Sequence, residues 1–260
     1  MKPIKRGSKI LLPAAVLLCC IALWEGLVAL FQIPSYTLPS PSRILSALIT
    51  DAGTLCYHAL VSLEEAAIGL VIAAVLAVIL AILMDRFPHF KSSIYPILVV
   101  TQTVPVIVLA PLFIIYMGFG MLPKIVTVVM MCFFPIVVPF ADAMGQTNTD
   151  QLNLLKSFGA GTLKQYRMVK IPSALPSLFS GLKVAATYCI SGAVVGEWIS
   201  SKAGLGYYML RVKNSGQLQK VFASVVVVIL LSLAMNGLVG LLRYICTPGE
   251  RKQNSWRKRI

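Results

Sequence analysis

The sequence predicts an all-α integral membrane protein, a single domain over residues 1–260 with six transmembrane helices and both termini on the cytoplasmic side. Three observations carry this expectation. Of the 260 residues, 58% are hydrophobic and only 12% charged. That is about half the charged share of a soluble domain, too little to cover a water-facing surface. Six apolar segments reach the roughly 20 residues a helix needs to cross a bilayer core. Finally, the basic residues are divided unequally between the two sets of connections those segments create.

The first segment, about 10–31, follows the basic start MKPIKRGSK. Its apolar stretch is long for a signal-peptide core and no small-residue cleavage site stands out, so a retained first span is expected. The second runs over about 59–84. The third (about 94–117) contains Pro105 and Pro111, and the fourth (about 122–144) contains Pro135 and Pro139. Membrane helices tolerate such prolines where neighbours satisfy the freed carbonyls, and kinks of this kind often belong to helices that line a cavity. The fifth and sixth cover about 177–199 and 221–245. With the N-terminus inside, sixteen Lys and Arg face the cytoplasm against six outside (Arg43, Lys124, Lys202, Arg211, Lys213 and Lys220), and Lys183 lies within a span. Only 202–220 is basic for an outer connection.

Composition also excludes functions. The net charge of +14 comes from Lys and Arg at the ends and between apolar runs, without interleaved aromatics. That reads as topology signal and contact with lipid headgroups, not a nucleic-acid face. The six cysteines include no CxxC pair or Cys/His cluster, so neither a metal site nor a disulfide framework is expected. His58 and His89 stand alone and read as loop histidines. Glu25, Glu64 and Glu65 are placed near helix ends without a role.

The inner connection 150–176 is long and polar. Leu152, Leu155, Phe158, Leu163, Tyr166 and Val169 recur at amphipathic helical spacing, and Gly159 and Gly161 divide the stretch into two short helices. Pro172 and Pro176 then close it before the fifth span. By spacing alone an amphipathic hairpin lying on the membrane surface is the lesser alternative. Within the fifth span, Gly181, Ala185, Cys189, Gly192 and Gly196 form a seam of small residues suited to close helix packing. Beside it Ser180, Thr187 and Ser191 make a mildly polar stripe, which suits either a solute path or hydroxyls bonded back to their own helix. Glu197 ends the span. A carboxylate near hydrocarbon is costly and marks a functional site, although Trp198 beside it marks the interface, where a carboxylate reaches water. In the third span Gln102, with Thr101 and Thr103, precedes Pro105. Its amide both donates and accepts hydrogen bonds, which makes Gln102, with Thr103, the leading pathway candidate.

The stretch SFGAGTLKQYRMVKIPSALPSLFSGLKVA resembles the EAA loop of permease subunits in bacterial binding-protein-dependent ABC importers. Counted from Gly159, Val169, Ile171 and Pro172 fall on the motif's Ile-x-Leu-Pro positions, while Asn153, Leu154 and Leu155 replace its Glu-Ala-Ala. LPSP at 38–41, APLFIIYMGFG at 110–120 and GAVVGEWISSKAGLGYYM at 192–209 resemble the subgroup serving nitrate, taurine, alkanesulfonates and thiamine-precursor pyrimidines. FSGLKVAATYCISGAVVGEW is most similar to the pyrimidine-precursor members. The resemblance implies a type I importer fold and a second permease copy, expected to be identical. It also implies an ABC ATPase dimer holding ATP and Mg, and an extracytoplasmic solute-binding protein. Asn153, Leu154, Leu155, Phe158, Gly159, Ala160, Val169 and Pro172 would then contact the ATPase. The chain carries no G-x-x-x-x-G-K-[ST] loop for nucleotide phosphates, so it is expected to be a transport subunit and not an enzyme, without a cofactor of its own. An ion-coupled secondary transporter is the distant alternative, but no internal repeat supports it.

Overall fold

A computed structural model describes residues 8–247. The basic clusters at 2–6 and 251–259 that weigh in the predicted orientation lie outside that range. Within it the chain is helical: α1 (Ser8–Leu30), α2 (Pro41–Thr50), α3 (Ala52–Arg86), α4 (Pro88–Thr101), α5 (Val106–Met117), α6 (Met121–Gly145), α7 (Thr149–Ser157), α8 (Thr162–Gln165), a π-helical turn over Tyr166–Lys170, α9 (Ile171–Ser200), α10 (Leu205–Asn214) and α11 (Leu218–Cys246). Five helical stretches are long and apolar enough to span a bilayer, and α4 with α5 can make a sixth if the broken pair is one span.

The core is the packing of α3, α6 and α9. Along α3 the fully buried Ala66, Ala73, Ala77 and Ala81 present a smooth stripe, which lets α6 approach closely. The small residues of α9 do the same on the other side of α6. A Cβ on Gly192 would stand 3.1 Å from the Cα of Val128, and one on Gly196 would stand 2.9 Å from the Cα of Lys124. At Gly181 it would collide with the carbonyl of Pro135. That oxygen is free because Pro139, four residues on, has no N–H to donate. The glycine thus brings the α9 backbone against the carbonyl that the proline releases. Ala185 and Cys189 complete the seam, and the Cys132 thiol donates to the Ala185 carbonyl at 3.4 Å. α1 is exposed almost all round and is tied to α2 by Glu25, which accepts from the Ser42 N–H and hydroxyl at 3.0 and 2.8 Å. Exposed Leu, Ile and Val on α1, α3 and α11 suit hydrocarbon as surroundings.

Several sequence expectations change. The fourth span remains one helix through both prolines, but the third is not a kinked rod: α4 and α5 meet at 102°. Pro105 drives its predecessor away from helical geometry and itself takes extended backbone (φ −61, ψ 120) at the N-cap of α5. Pro172 and Pro176 do not close the connection before the fifth span. Pro172 sits in the first turn of α9, where no backbone donor is needed, and Pro176 lies inside the same helix. Two of the three connections expected to lie outside contain amphipathic helices, α2 and α10. Their Ile44, Ala47, Leu205, Tyr208 and Val212 join Leu55, Ala59, Val194 and Ala223 in a second apolar cluster at one end of the bundle.

Candidate functional site

The loop between α6 and α9 has two unlike limbs. Asn148 caps α7 by accepting from the Asp150 N–H at 2.8 Å. The helix ends at Gly159, whose φ of +74 is left-handed geometry that costs any other residue roughly 1–2 kcal/mol. The N–H groups of Gly159 and Ala160 close on the carbonyls of Lys156 and Leu155 at 2.9 and 3.0 Å, a Schellman-type stop. No residue of α7 is buried. Leu154 (59% exposed) and Phe158 (79%) stand one turn apart, and Leu163 across the turn is 81% exposed. Asn153, Gly159 and Pro172 are exposed, while Leu155, Ala160 and Val169 are half-buried. The return limb is anchored instead. Asp85, at the end of α3, accepts from the Tyr166 hydroxyl at 2.5 Å and from Lys170 at 2.6 Å, and the Lys170 ammonium lies 5.1 Å from the Tyr166 ring centre.

The pathway candidates lie apart from this loop. Gln102 ends α4 at the 102° bend and lines a cavity of about 290 Å³ with Pro105, Met131, Phe134 and Tyr188. The Thr103 hydroxyl turns back to the Val100 carbonyl at 2.7 Å. Ser180 and Thr187 likewise bond the carbonyls of Pro176 and Lys183 at 2.8 and 3.1 Å. Thr187 also accepts from the Asn236 amide of α11 at 3.0 Å, a polar link between spans that sequence reasoning missed. Ser191 is half-buried.

Glu197 departs furthest from expectation. It is 1% exposed and holds the start of α10. Its carboxylate accepts from the Ser62 hydroxyl at 2.6 Å and the Gly206 N–H at 2.5 Å. Ser62 in turn accepts from the Leu205 N–H at 2.8 Å, and His58 Nδ1 accepts from the Gly204 N–H at 3.0 Å. Three otherwise orphaned donors of a helix N-terminus are thus satisfied, and the carboxylate sits where the helix dipole favours it. The close approach requires glycine: Gly204 has φ +107, and a Cβ there would strike the Glu197 carboxylate. His58 is a buried residue of α3 and not a loop histidine. Beside this cap, Lys124 of α6 and Glu65 of α3, both buried, form an ion pair, and the Lys124 ammonium also reaches Ser201 at 3.3 Å. Lys124 therefore belongs to the interior of the bundle and not to an outer loop, and Glu65 is not at a helix end. His58, Ser62 and Glu65 stand at i, i+4 and i+7 on a mostly apolar helix, a one-face polar stripe that was visible in the sequence.

At the α10 end, Lys220 in the first turn of α11 and the Tyr208 hydroxyl reach Asp51, which lies between α2 and α3, at 2.8 and 2.6 Å. Hydrogen bonding from Lys220 first, then from Tyr208, holds the Asp51 carboxyl below its ordinary value. Burial, reinforced by Asp51, pushes the Tyr208 hydroxyl up.

A bundle of apolar spans with a helical loop projecting from one end defines a multi-pass membrane protein. The model of the binding-protein-dependent transport system inner membrane component matches residues 69–245, and the chain belongs to that family as a multi-pass ABC importer permease. It is 33% identical over 227 residues to a probable ABC transporter permease of Haemophilus influenzae, covering 87% of this chain and 93% of that one. It is 33% identical over 250 residues to the formylaminopyrimidine transport permease ThiX of Halalkalibacterium halodurans, covering 96% and 100%. To the putative aliphatic sulfonates transport permease SsuC of Bacillus subtilis it is 27% identical, covering 95% and 87%. The MetNI methionine ABC transporter, solved facing inward, shares the fold: TM-score 0.53 at 17% identity, over 73% of this chain and 94% of that chain. The architecture is that of a type I importer permease.

Proposed function

We propose that this chain forms, with a second identical copy, the solute path of an ATP-driven importer, and that the loop from α7 to the start of α9 seats on a separate ABC ATPase. The observation that carries the reading is the pair Leu154 and Phe158: large apolar side chains left bare on a helix with no buried residue, while the limb behind them is clamped to α3 at Asp85. Exposed apolar surface of this kind marks a partner contact. A ligand shifts a conformational equilibrium only by its differential affinity for the two states. The ATPase, binding ATP and Mg, must therefore grip a part that passes its movement on to the spans. Phe158 supplies the grip, and the turn at Gly159 leads to the clamp at Asp85. In this reading the α7 end and both termini face the cytoplasm, and a solute-binding protein delivers at the α10 end.

The solute is a thiamine-precursor pyrimidine or a similar small heterocycle. Similarity to the formylaminopyrimidine permease along nearly the whole chain favours it. Alkanesulfonate, taurine or nitrate on the same machinery is the second reading, favoured by weaker similarity to permeases named for those solutes. Proteoliposomes holding the permease and its ATPase, supplied with the binding protein, decide the matter. Uptake of a formylaminopyrimidine should require internal or external ATP on the ATPase side only, and Gln102→Ala should change its rate without changing assembly. Uptake that persists without the ATPase would make the chain a secondary transporter, and normal kinetics in Gln102→Ala would clear that residue.

A further inference from the structure

The fifth span carries a lysine that neither the coupling loop nor the α10 end uses. Lys183 is the thirteenth residue of α9, a helix apolar enough to cross a bilayer. An ionisable side chain at membrane depth is costly and calls for a partner. Its backbone is engaged: the Lys183 carbonyl accepts from the Thr187 hydroxyl at 3.1 Å and from the Asn236 amide at 3.5 Å. Its ammonium is not. Among the described residues the ion pairs are Lys91–Asp142, Lys124–Glu65, Lys170–Asp85 and Lys220–Asp51. Nor is the ammonium sealed in, since the buried side-chain atoms without a partner belong to Trp24 and Glu65.

Position narrows what it can meet. Asn236 of α11 donates to Thr187 at 3.0 Å. One turn along the same seam an added Cβ on Gly240 would stand 3.7 Å from the Cε of Lys183 and 3.9 Å from its Nζ. Helical side chains lean toward the N-terminus of their helix, here the α7 end, and the glycine leaves room for that lean. The flanks are apolar and open: Val184 is 47% exposed and Leu241 59%.

The carboxylates lie elsewhere. Glu25, Asp51, Glu64 and Glu65 belong to the α10 end, Asp150 to α7, and Asp142 is held by Lys91 and Tyr95. Glu197 comes fourteen residues after Lys183, and Lys170, which holds Asp85, thirteen before it. At 1.5 Å of rise per residue each is about 20 Å away along the helix. A second copy related by a two-fold axis along the membrane normal keeps every carboxylate at its depth, so it brings these no nearer to the level of Lys183.

We propose that the seam between α9 and α11 is a binding site for an oxyanion held by Lys183. An ammonium among apolar side chains, poorly screened by water, bonds most strongly to a charged acceptor, and basic pockets between spans near the cytoplasmic face suit lipid headgroups. Two sources share this chemistry: the phosphate of an anionic lipid, and the sulfonate or nitrate group of a solute in transit. Only the argument about a second copy draws on the importer reading.

Both sources are tested on the full permease–ATPase complex. In detergent, native mass spectrometry compares binding of phosphatidylglycerol with that of phosphatidylcholine. In nanodiscs of phosphatidylcholine alone, calorimetry follows taurine and nitrate. Saturable binding is expected in at least one arm, at one phosphatidylglycerol or one free anion per permease copy; the first identifies a lipid site and the second a solute site. Lys183→Met should weaken that binding by roughly tenfold or more, and Lys183→Arg, which keeps the charge, should restore it. Since Lys183→Met orphans no carboxylate, it should unfold no earlier than the wild type. Saturable binding in neither arm, or binding indifferent to Lys183→Met, overturns the proposal. So does a destabilised Lys183→Met, which would reveal a partner within the chain. Failure of the importer reading looks different: uptake in proteoliposomes would proceed without the ATPase, and these binding measurements would stand.

Discussion

Glu65 and Asp85 stand on the same helix, twenty residues apart, about 30 Å at 1.5 Å of rise per residue. The carboxylate at each level bonds a lysine, Glu65 to Lys124 and Asp85 to Lys170, yet the surroundings of the two pairs differ. Around Glu65 everything is closed inward: Lys124, Ser62, His58 and Glu197 are all buried, and their polar atoms are directed at one another or at the first turn of α10. Around Asp85 only the return limb is held, while α7 leaves Leu154 and Phe158 bare. The first arrangement suits a part whose geometry must persist, and the second a part completed by another protein. If that contrast is right, damage at the two ends should differ in kind: loss of fold at the α10 end, loss of partner at the α7 end.

The largest effect is expected from Lys124→Met. It removes the partner of a carboxylate that is 2% exposed, and an orphaned buried charge costs about 3–5 kcal/mol. Thermal unfolding in detergent should show the loss. Because replacing both partners by apolar groups is often near neutral, Lys124→Met with Glu65→Leu should recover most of it. A single variant as stable as the wild type would mean that the pair holds nothing, and the contrast between the ends would fail. The complementary test replaces Leu154 and Phe158 by Asp. Both side chains are exposed, so unfolding should move by about 0.5 kcal/mol per site or less. Co-purification with the ATPase should nevertheless be lost. Retained assembly would remove α7 from the interface.

The unequal legibility of the two ends has a physical cause. Apolar runs of twenty residues and the spacing from Gly159 to Pro172 are local properties of the chain, and both could be read directly. Counting Lys124 as a loop charge discarded what matters about it, namely which carboxylate it meets. Residues 65, 124 and 197 come together only when α3, α6 and α9 pack, and no local window contains that fact. Part of the miss was avoidable. The i, i+4, i+7 stripe of His58, Ser62 and Glu65 on a mostly apolar helix called for buried partners, and Leu205, Tyr208 and Val212 are amphipathic enough to predict α10. The bend at Pro105 was harder, because Pro135 and Pro139 look alike in sequence and yet leave α6 unbroken. Gly181 of α9 lies against the carbonyl that Pro139 releases, whereas α4 gives way at Gln102 and reopens as α5.

The smallest effect belongs to the rim of the α10 end, where Asp51 joins the start of α3 to α10 through Tyr208 and to α11 through Lys220. The Asp51 carboxyl sits below its ordinary value because these groups favour its charged form. A depressed carboxyl contributes stability above its unfolded value, near 3.9, and loses it as pH falls through the lower folded value. Asp51→Asn keeps an acceptor for Tyr208 but removes the charge. At neutral pH and low salt it should cost about 0.5–1 kcal/mol, the range of partly exposed ion pairs. Wild type and variant should converge as the pH drops below the ordinary carboxylate range, and also as salt rises and screens the Lys220 pair. A gap that survives both acid and salt would mean that Asp51 acts by shape and not by charge. The rim would then share the character of the buried cluster, and the change from locked interior to yielding surface would have to be sought further along α10.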